Sequence, residues 1–528
     1  LLPKIVSMPK LRNVLNYTLL GLGLSAVAYS ISRHHQDTRI LNATQAQSEA
    51  LIRYRQESKQ NPQDPQAHLK LGDAALAFWQ NAGQGIRISL QSGGWNTMAW
   101  LMEKPNALKE ASNAYTTALH LDPELARAQV GLCIALLEQE IERQEAAVTA
   151  ACRKAVERQP QSAEPYLALG IALSRQKQWL ESEAMLRQHL MLTPEKGNAH
   201  YQLGKVLLAQ QKNTAAVAAF RRAIELDPQG NLAYVELGDA LANLGKTDEA
   251  ITTYRQSLAV VPEYPPAYIK LGDHLMAKQQ FEAALETYRQ MVDRYPTLAS
   301  GHSGLGRALT AQQKWEEAIA AHNNAIELDP KSAWNFMERG ATLAKQRKLD
   351  AAIADYSQAI QLDSSNTWAW IERGSLYARL NKVKEALADF RRAVQLEPNS
   401  ASAQNALCWY GSLLGQATQV ISACDKAIAA AHPQEKNLFR DSRGVARALL
   451  GYRQGAIADL QAFVEWSQSD LAKADQFHRH LQARISLRQR WIQALQRNQD
   501  PFSLTVQQSL LTEELNLAGQ TNPFSGKN

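Results

Sequence analysis

Between roughly residue 60 and residue 470 the apolar positions recur with one long period. Proline stands at Pro160, Pro194, Pro228, Pro262, Pro296 and Pro330, gives way to Ser364 and returns at Pro398, each step being 34 residues. A glycine follows ten residues later each time, at Gly170, Gly204, Gly238, Gly272, Gly306, Gly340 and Gly374. Twelve residues beyond the glycines stand Ser182, Ala216, Ala250, Ala284, Ala318, Ala352 and Ala386, and four further come Leu186, Phe220, Tyr254, Tyr288, His322, Tyr356 and Phe390. The spacing predicts two helices per unit. Glycine and alanine at their crossing let two backbones approach, the bulky residue fills the space beside them, and proline stops the second helix because it lacks the N–H that the ladder needs. One hairpin cannot bury its apolar face alone, so neighbours must stack into a continuous core.

This pattern resembles the tetratricopeptide repeat (TPR) family; "YVELGDALANLGKTDEAITTYRQSLAVVPE" carries most of that signature at its spacing. The resemblance implies an all-α TPR solenoid, a right-handed superhelix of helix-turn-helix repeats. It covers about eleven repeats over 61–468, with degraded ends where Cys133 and Cys408 replace the glycine and Arg443 precedes Gly444. Helices at 38–60 and 469–500 read as caps and 501–528 as a tail, with Asp500-Pro501-Phe502 as a helix stop. The first repeat departs from the period: residues 81–105 are an insertion between its helices, with Trp95 and Trp100 among glycines. Such insertions map to loops, and the expectation is a flap over the groove, a Trp-rich segment at a membrane interface, or a lid packed on the solenoid end. A smaller insertion of three residues is expected near Glu142.

Residues 1–37 read as a signal or transmembrane segment. Val14 to Ser32 carries no charge, Lys4, Lys10 and Arg12 precede it, and Ala26-Val27-Ala28 has the small-x-small form of a cleavage site. Both readings, cleaved signal and retained anchor, put the repeats across a membrane, on the extracytoplasmic side of a bacterial envelope. In the repeat frame, Cys133 and Cys408 take the glycine slot and Cys152 and Cys424 the bulky slot of the same two repeats. Facing slots put each pair within disulfide reach; four buried thiols are the alternative. Disulfides would persist only in an oxidising compartment, which agrees with export.

The TPR resemblance also implies a concave groove lined by first helices, through the residues three before and one after each glycine. Here that points to Tyr201, Val235, Ile269, Met337 and Ile371, mostly apolar, and to a charged belt of Lys205, Asp239, Asp273 and Arg307. An extended peptide or amphipathic helix of a protein partner suits such a groove. The carboxylate clamp of the family's chaperone-tail binders does not recur here. A basic C-terminal helix around Arg479–Arg490 is expected to dock on the last repeat, with an acidic surface as its alternative partner.

Composition narrows the function without naming it. The 528 residues are 45% hydrophobic and 20% charged with net charge +6, which excludes disorder and does not call for a nucleic-acid partner. No P-loop, H-E-x-x-H or C-x-x-C occurs, and Gly301–Gly306 misses the G-x-S-x-G elbow by one residue. His34-His35 and His478-Arg479-His480 lack metal-ligand companions. No metal, cofactor or catalytic residue is expected. The expectation is a non-enzymatic, exported or membrane-tethered scaffold that assists complex assembly. The rivals are a substrate-binding subunit of an enzyme complex, such as a glycosyltransferase, and a cytoplasmic membrane-anchored adaptor.

Overall fold

The computed structural model describes residues 39–92, 97–139, 145–433, 435–471 and 478–518, and every regular element among them is helical. A helix over 39–60 leads into eleven antiparallel helix pairs, from Pro65 to Leu471, followed by helices His478–Gln496 and Leu504–Ala518. Residues up to Val261 and residues from Pro262 make two compact units. Within each unit the repeats obey one set of packing rules.

The central rule is a contact between the repeat glycine and the bulky side chain of the second helix. A Cβ built on Gly204 would lie 2.5 Å from the Phe220 ring, one on Gly238 2.4 Å from Tyr254, and one on Gly272 2.3 Å from Tyr288. Phe220, Tyr254, Tyr288, Tyr356 and Phe390 are all buried. Tyr115 and Tyr288 are gripped from two sides, because Gly131 and Gly304 on the following first helices also meet those rings at 2.3 Å. The cysteines occupy the same slots: Cys133 and Cys152 are joined with Cα atoms 4.7 Å apart, Cys408 and Cys424 with Cα atoms 4.9 Å apart. Each disulfide replaces the glycine–ring contact by a covalent one and closes a short loop, which restricts the unfolded chain by about 3 kcal/mol.

The turns also follow the period. The side chain four residues before each glycine carries a polar tip that reaches the carbonyl six residues earlier, where the preceding helix has ended. Tyr166 Oη donates to Pro160 O at 3.1 Å, Tyr268 Oη to Pro262 O at 3.1 Å, Trp370 Nε1 to Ser364 O at 3.0 Å and Gln404 Nε2 to Pro398 O at 2.8 Å. His200 and His302 ring nitrogens sit 2.8 and 2.9 Å from Pro194 O and Pro296 O. These rings therefore satisfy backbone as well as fill space. Phe336 has no such tip, and its neighbour Asn335 bonds Asp329 O instead, at 3.2 Å.

Two expectations change at the ends. The described part of the 81–105 insertion is helix, not loop: it lengthens the first hairpin to Pro65–Ser92 and Thr97–Leu121. The described runs on either side of 93–96 are helix-compatible and continue the ladders already started, and Pro105 sits within the second helix. Trp95 lies outside the described residues, as does Glu142; Trp100 lies on the lengthened second helix. The segment 501–528 is not simply a tail, because Leu504–Ala518 is helical and Phe502 is buried, its ring 4.7 Å from that of Trp491. Asp500 Oδ1 accepts the Phe502 N–H at 2.8 Å, so the Asp-Pro-Phe run is a turn that anchors the helix after it.

The caps are held by charge as well as packing. Arg55 of the 39–60 helix donates to Glu110 through Nε at 2.8 Å, and Leu51 joins the core of the first hairpin. In the second unit Asp441 is buried, and burial alone would raise its carboxyl. Arg488 and Arg484 of the C-terminal cap more than offset this and bring it below the ordinary aspartate value. The basic helix is thus docked on the last repeat, as its sequence predicts.

The slot yields two predictions. Gly272→Ala should cost about 1–3 kcal/mol, because the Tyr288 ring is held between two backbones and cannot retreat; an unchanged urea midpoint would show that it can. His322 fills one slot with both ring nitrogens buried and unpartnered. Burial first, then the Arg307 and Arg339 charges, lower its pKa from 6.5 to about 3. The folded ring stays neutral while the unfolded chain takes a proton below 6.5, so stability should fall as pH drops through that window, by about 2 kcal/mol at pH 5. His322→Phe should flatten that acid limb in urea titrations at pH 7 and pH 5; an unaltered pH dependence would refute the assignment.

Candidate protein-binding face

The expected groove residues divide by position. Three residues before the glycine, Val235, Met337 and Ile371 are buried. Tyr201 and Ile269 are half-buried. Met337 Sδ accepts from Asn366 Nδ2 at 3.3 Å, and Ile371 belongs to an apolar cluster with Trp409, Leu510 and Leu511. These residues are not a free lining. Apolar side chains at that register are used by the stack itself, and at Ile371 the C-terminal helix contributes as well.

One residue after the glycine, the belt is partly committed. Asp239 accepts from Tyr254 Oη at 2.6 Å and Asp273 from Tyr288 Oη at 2.7 Å. Asp73 and Tyr115 repeat the arrangement at 2.9 Å in the first repeat. The physical reason is the slot: a tyrosine lying over the glycine extends its hydroxyl to the next residue of that helix. Burial, and next the adjoining aspartate, push the Tyr115 and Tyr254 phenols above their ordinary range. Arg307 donates to Asp273 and, at 2.8 Å, to Tyr288 Oη. Asp239 and Asp273 are therefore half-buried acceptors and not the fully exposed charges that the belt suggests. Reversing them to lysine would break the repeat's internal bonds together with any partner contact. Lys205 stays exposed, its Nζ 5.6 Å from the Tyr201 ring.

A second charged network went unread in the sequence. Where arginine precedes the repeat glycine, an aspartate sixteen residues on receives it in two parallel bonds. Arg339 holds Asp355 at 2.8 and 2.7 Å, Arg373 holds Asp389 at 2.8 and 2.9 Å, and Arg443 holds Asp459 at 2.8 and 2.7 Å. The carboxylates are buried. Such forked pairs fix geometry as well as charge. Arg443 is thus part of a recurring device and does not mark a decayed repeat. The signal was available as Arg-Gly followed by aspartate at a fixed distance.

Among the exposed residues of the first helices are polar side chains, such as Glu164, Asn198 and Lys205, and three large apolar ones. Leu232, Trp334 and Trp368 each stand six residues before a repeat glycine and are 44%, 52% and 36% exposed. In the second unit, Glu338 and Lys345 lie on the helix that carries Trp334. Burial raises the Glu338 carboxyl, opposed by Arg307 and Lys345, and lowers the Lys345 ammonium, opposed by Glu338 and Glu372. Among the described residues no group of three or more His, Cys, Asp or Glu is placed to hold a metal ion, and no helix is long and apolar enough to cross a membrane. Residues 1–38, where the apolar run lies, are outside the described residues.

Several solved structures are similar over part of the chain. The crystal structure of YrrB, described as a TPR protein with an unusual peptide-binding site, is 26% identical over 36% of this chain and 97% of its own, with a TM-score of 0.32. A tetratricopeptide repeat protein from Parabacteroides merdae ATCC 43184 is 17% identical over 47% of this chain and 98% of its own, with a TM-score of 0.41. MamA is 23% identical over 29% of this chain and 89% of its own, with a TM-score of 0.28. No protein of curated function matches the sequence. Family models described as tetratricopeptide repeat match residues 108–163, 167–231, 201–268, 235–299 and 367–400, and one described as TPR repeat matches 306–347 and 342–381. With the glycine slot and helix pairing repeated through that span, the chain belongs to the tetratricopeptide-repeat proteins.

Proposed function

We propose that the chain is a non-enzymatic scaffold that holds a peptide or helix of a partner protein against its first helices and assists assembly of a complex. The observation that carries this reading is the register of Leu232, Trp334 and Trp368. In three repeats that position carries a large apolar side chain that remains exposed, although nearby positions bury residues of the same kind; in the neighbouring repeats it is Glu164, Asn198, Pro266 or Ser300. Large exposed aromatics with a rim of charge are typical anchors for a polypeptide. Each unit presents its own share of this surface: Leu232 with Lys205 in the first, the tryptophan pair in the second.

The reading includes a place in the cell. Two disulfides tie the helices of the second and tenth repeats, and such bonds persist in oxidising compartments. Together with the uncharged run Val14–Ser32 and the basic residues before it, this supports repeats held on the extracytoplasmic side, tethered or exported.

Two measurements test these statements. A photoreactive residue placed at Trp334 or Lys205 in the native host should crosslink to a polypeptide, whereas one at the exposed second-helix residue Glu282 should not; equal labelling at all three would remove the case for a binding face. In protein isolated from that host under alkylating conditions, Cys133, Cys152, Cys408 and Cys424 should all resist modification until reduced. Four freely alkylated thiols after denaturation would refute the oxidising placement.

A further inference from the structure

The second unit carries a ligand of its own. After the turn at Asp500–Phe502, the helix Leu504–Ala518 packs against two elements: the first helix of the ninth repeat, Thr367–Arg379, and the bent end of the tenth repeat's first helix, Ser412–Gln416. The bend is a single wide turn in which Gly415 takes a φ of +77° and Leu413 and Leu414 are buried. Phe502, Leu510 and Leu511 enter the same apolar cluster as Ile371, Trp409, Leu413 and Leu414, with Val506 packed at its edge. Leu504 points away and is exposed. The turn and helix together therefore present an apolar stripe, Phe502 followed by apolar residues four, eight and nine positions on, to the surface where the family resemblance places a partner.

We propose that Asp500–Ala518 is an exchangeable intramolecular ligand, and that the partner of this end of the array is an amphipathic helix bearing the same spacing of one aromatic and three aliphatic anchors. Three observations favour exchange over permanent packing. The segment is joined to the fold by a short turn, so it can leave without disturbing a repeat. Its described side chains place Phe502, Leu510 and Leu511 in the cluster, whereas the preceding cap His478–Gln496 adds Ile485, Trp491, Ile492 and Leu495 and, beyond them, a buried arginine–aspartate fork. Trp368, on the same first helix as Ile371 of that cluster, and Trp334, one repeat earlier, remain exposed. A longer partner helix would cover what the tethered one leaves bare. Tethering gives the internal helix a high effective concentration, so an outside helix binds with an affinity lowered by the fraction of open chain.

The inference rests on the protein-binding reading above, but its test uses only this chain and a synthetic peptide spanning residues 500–518, so it can fail while crosslinking at Lys205 succeeds. In the full-length wild type, amides of 504–511 should exchange with solvent at least about a hundredfold faster than those of 478–496, as a locally opening element does; exchange of both at the same rate would overturn the proposal. The full-length double variant L510D/L511D should keep its helical circular dichroism and bind the peptide at least about tenfold more tightly than the wild type does. A peptide of the same composition in scrambled order should bind neither form. Equal affinity for wild type and variant, or no binding to either, would overturn it. A wild-type dimer that forms at the concentrations used would assign the face to a second copy of the chain and would also overturn it.

Discussion

The structure depends on one close approach, that of a first-helix backbone to the bulky side chain of its partner helix. At Gly238 and Gly272 a methyl group would meet a tyrosine ring at 2.4 and 2.3 Å. Such distances are available only to a residue without a side chain, so glycine here sets the separation of two helices and through it the space for the next repeat. Interiors are packed too densely to absorb an error there. The slot accepts phenylalanine, tyrosine, leucine or a neutral histidine because it asks only for volume. In two repeats it accepts a disulfide, Cys133 with Cys152 and Cys408 with Cys424, which fixes the same crossing by a bond.

The slot also decides what happens to charge nearby. A tyrosine in it places a hydroxyl beside the residue after the glycine, and in three repeats that residue is aspartate. An arginine before the glycine finds an aspartate on the residue preceding the slot, again in three repeats. In the arginine forks the carboxylates are buried, where removing one partner strands the other at a cost of about 3–5 kcal/mol. Both kinds of pair act as register pins between the two helices of a hairpin. Charge on the first helices is therefore a poor guide to partner chemistry in this protein, and the exposed apolar residues Leu232, Trp334 and Trp368 are a better one.

The C-terminus follows the same economy. The basic cap is fastened by Asp441 held between Arg484 and Arg488, and Phe502 packs against Trp491 with its ring tilted 60° where the chain turns back. A helix then lies on the ninth repeat and joins the cluster that buries Ile371.

The repeat itself was legible in the sequence: a period of 34 residues, glycine, alanine and bulky positions in fixed register, and cysteines landing on facing slots. Those features are local and periodic, so each repeat states them afresh, and the helix pairs followed without reference to distant residues. Tertiary structure decided the rest. Val235, Met337 and Ile371 have the composition of a binding surface, but the fold buries all three, Met337 and Ile371 within clusters that reach into neighbouring repeats. The insertion at 81–105 has the glycines of a loop, yet flanking helices extend into it because their ladders, once nucleated, add residues at little cost. The helix Leu504–Ala518 looks like tail until the cluster around Ile371 and Trp409 exists to receive it. Periodicity specifies which faces are apolar; only the assembled chain determines which of them remain uncovered.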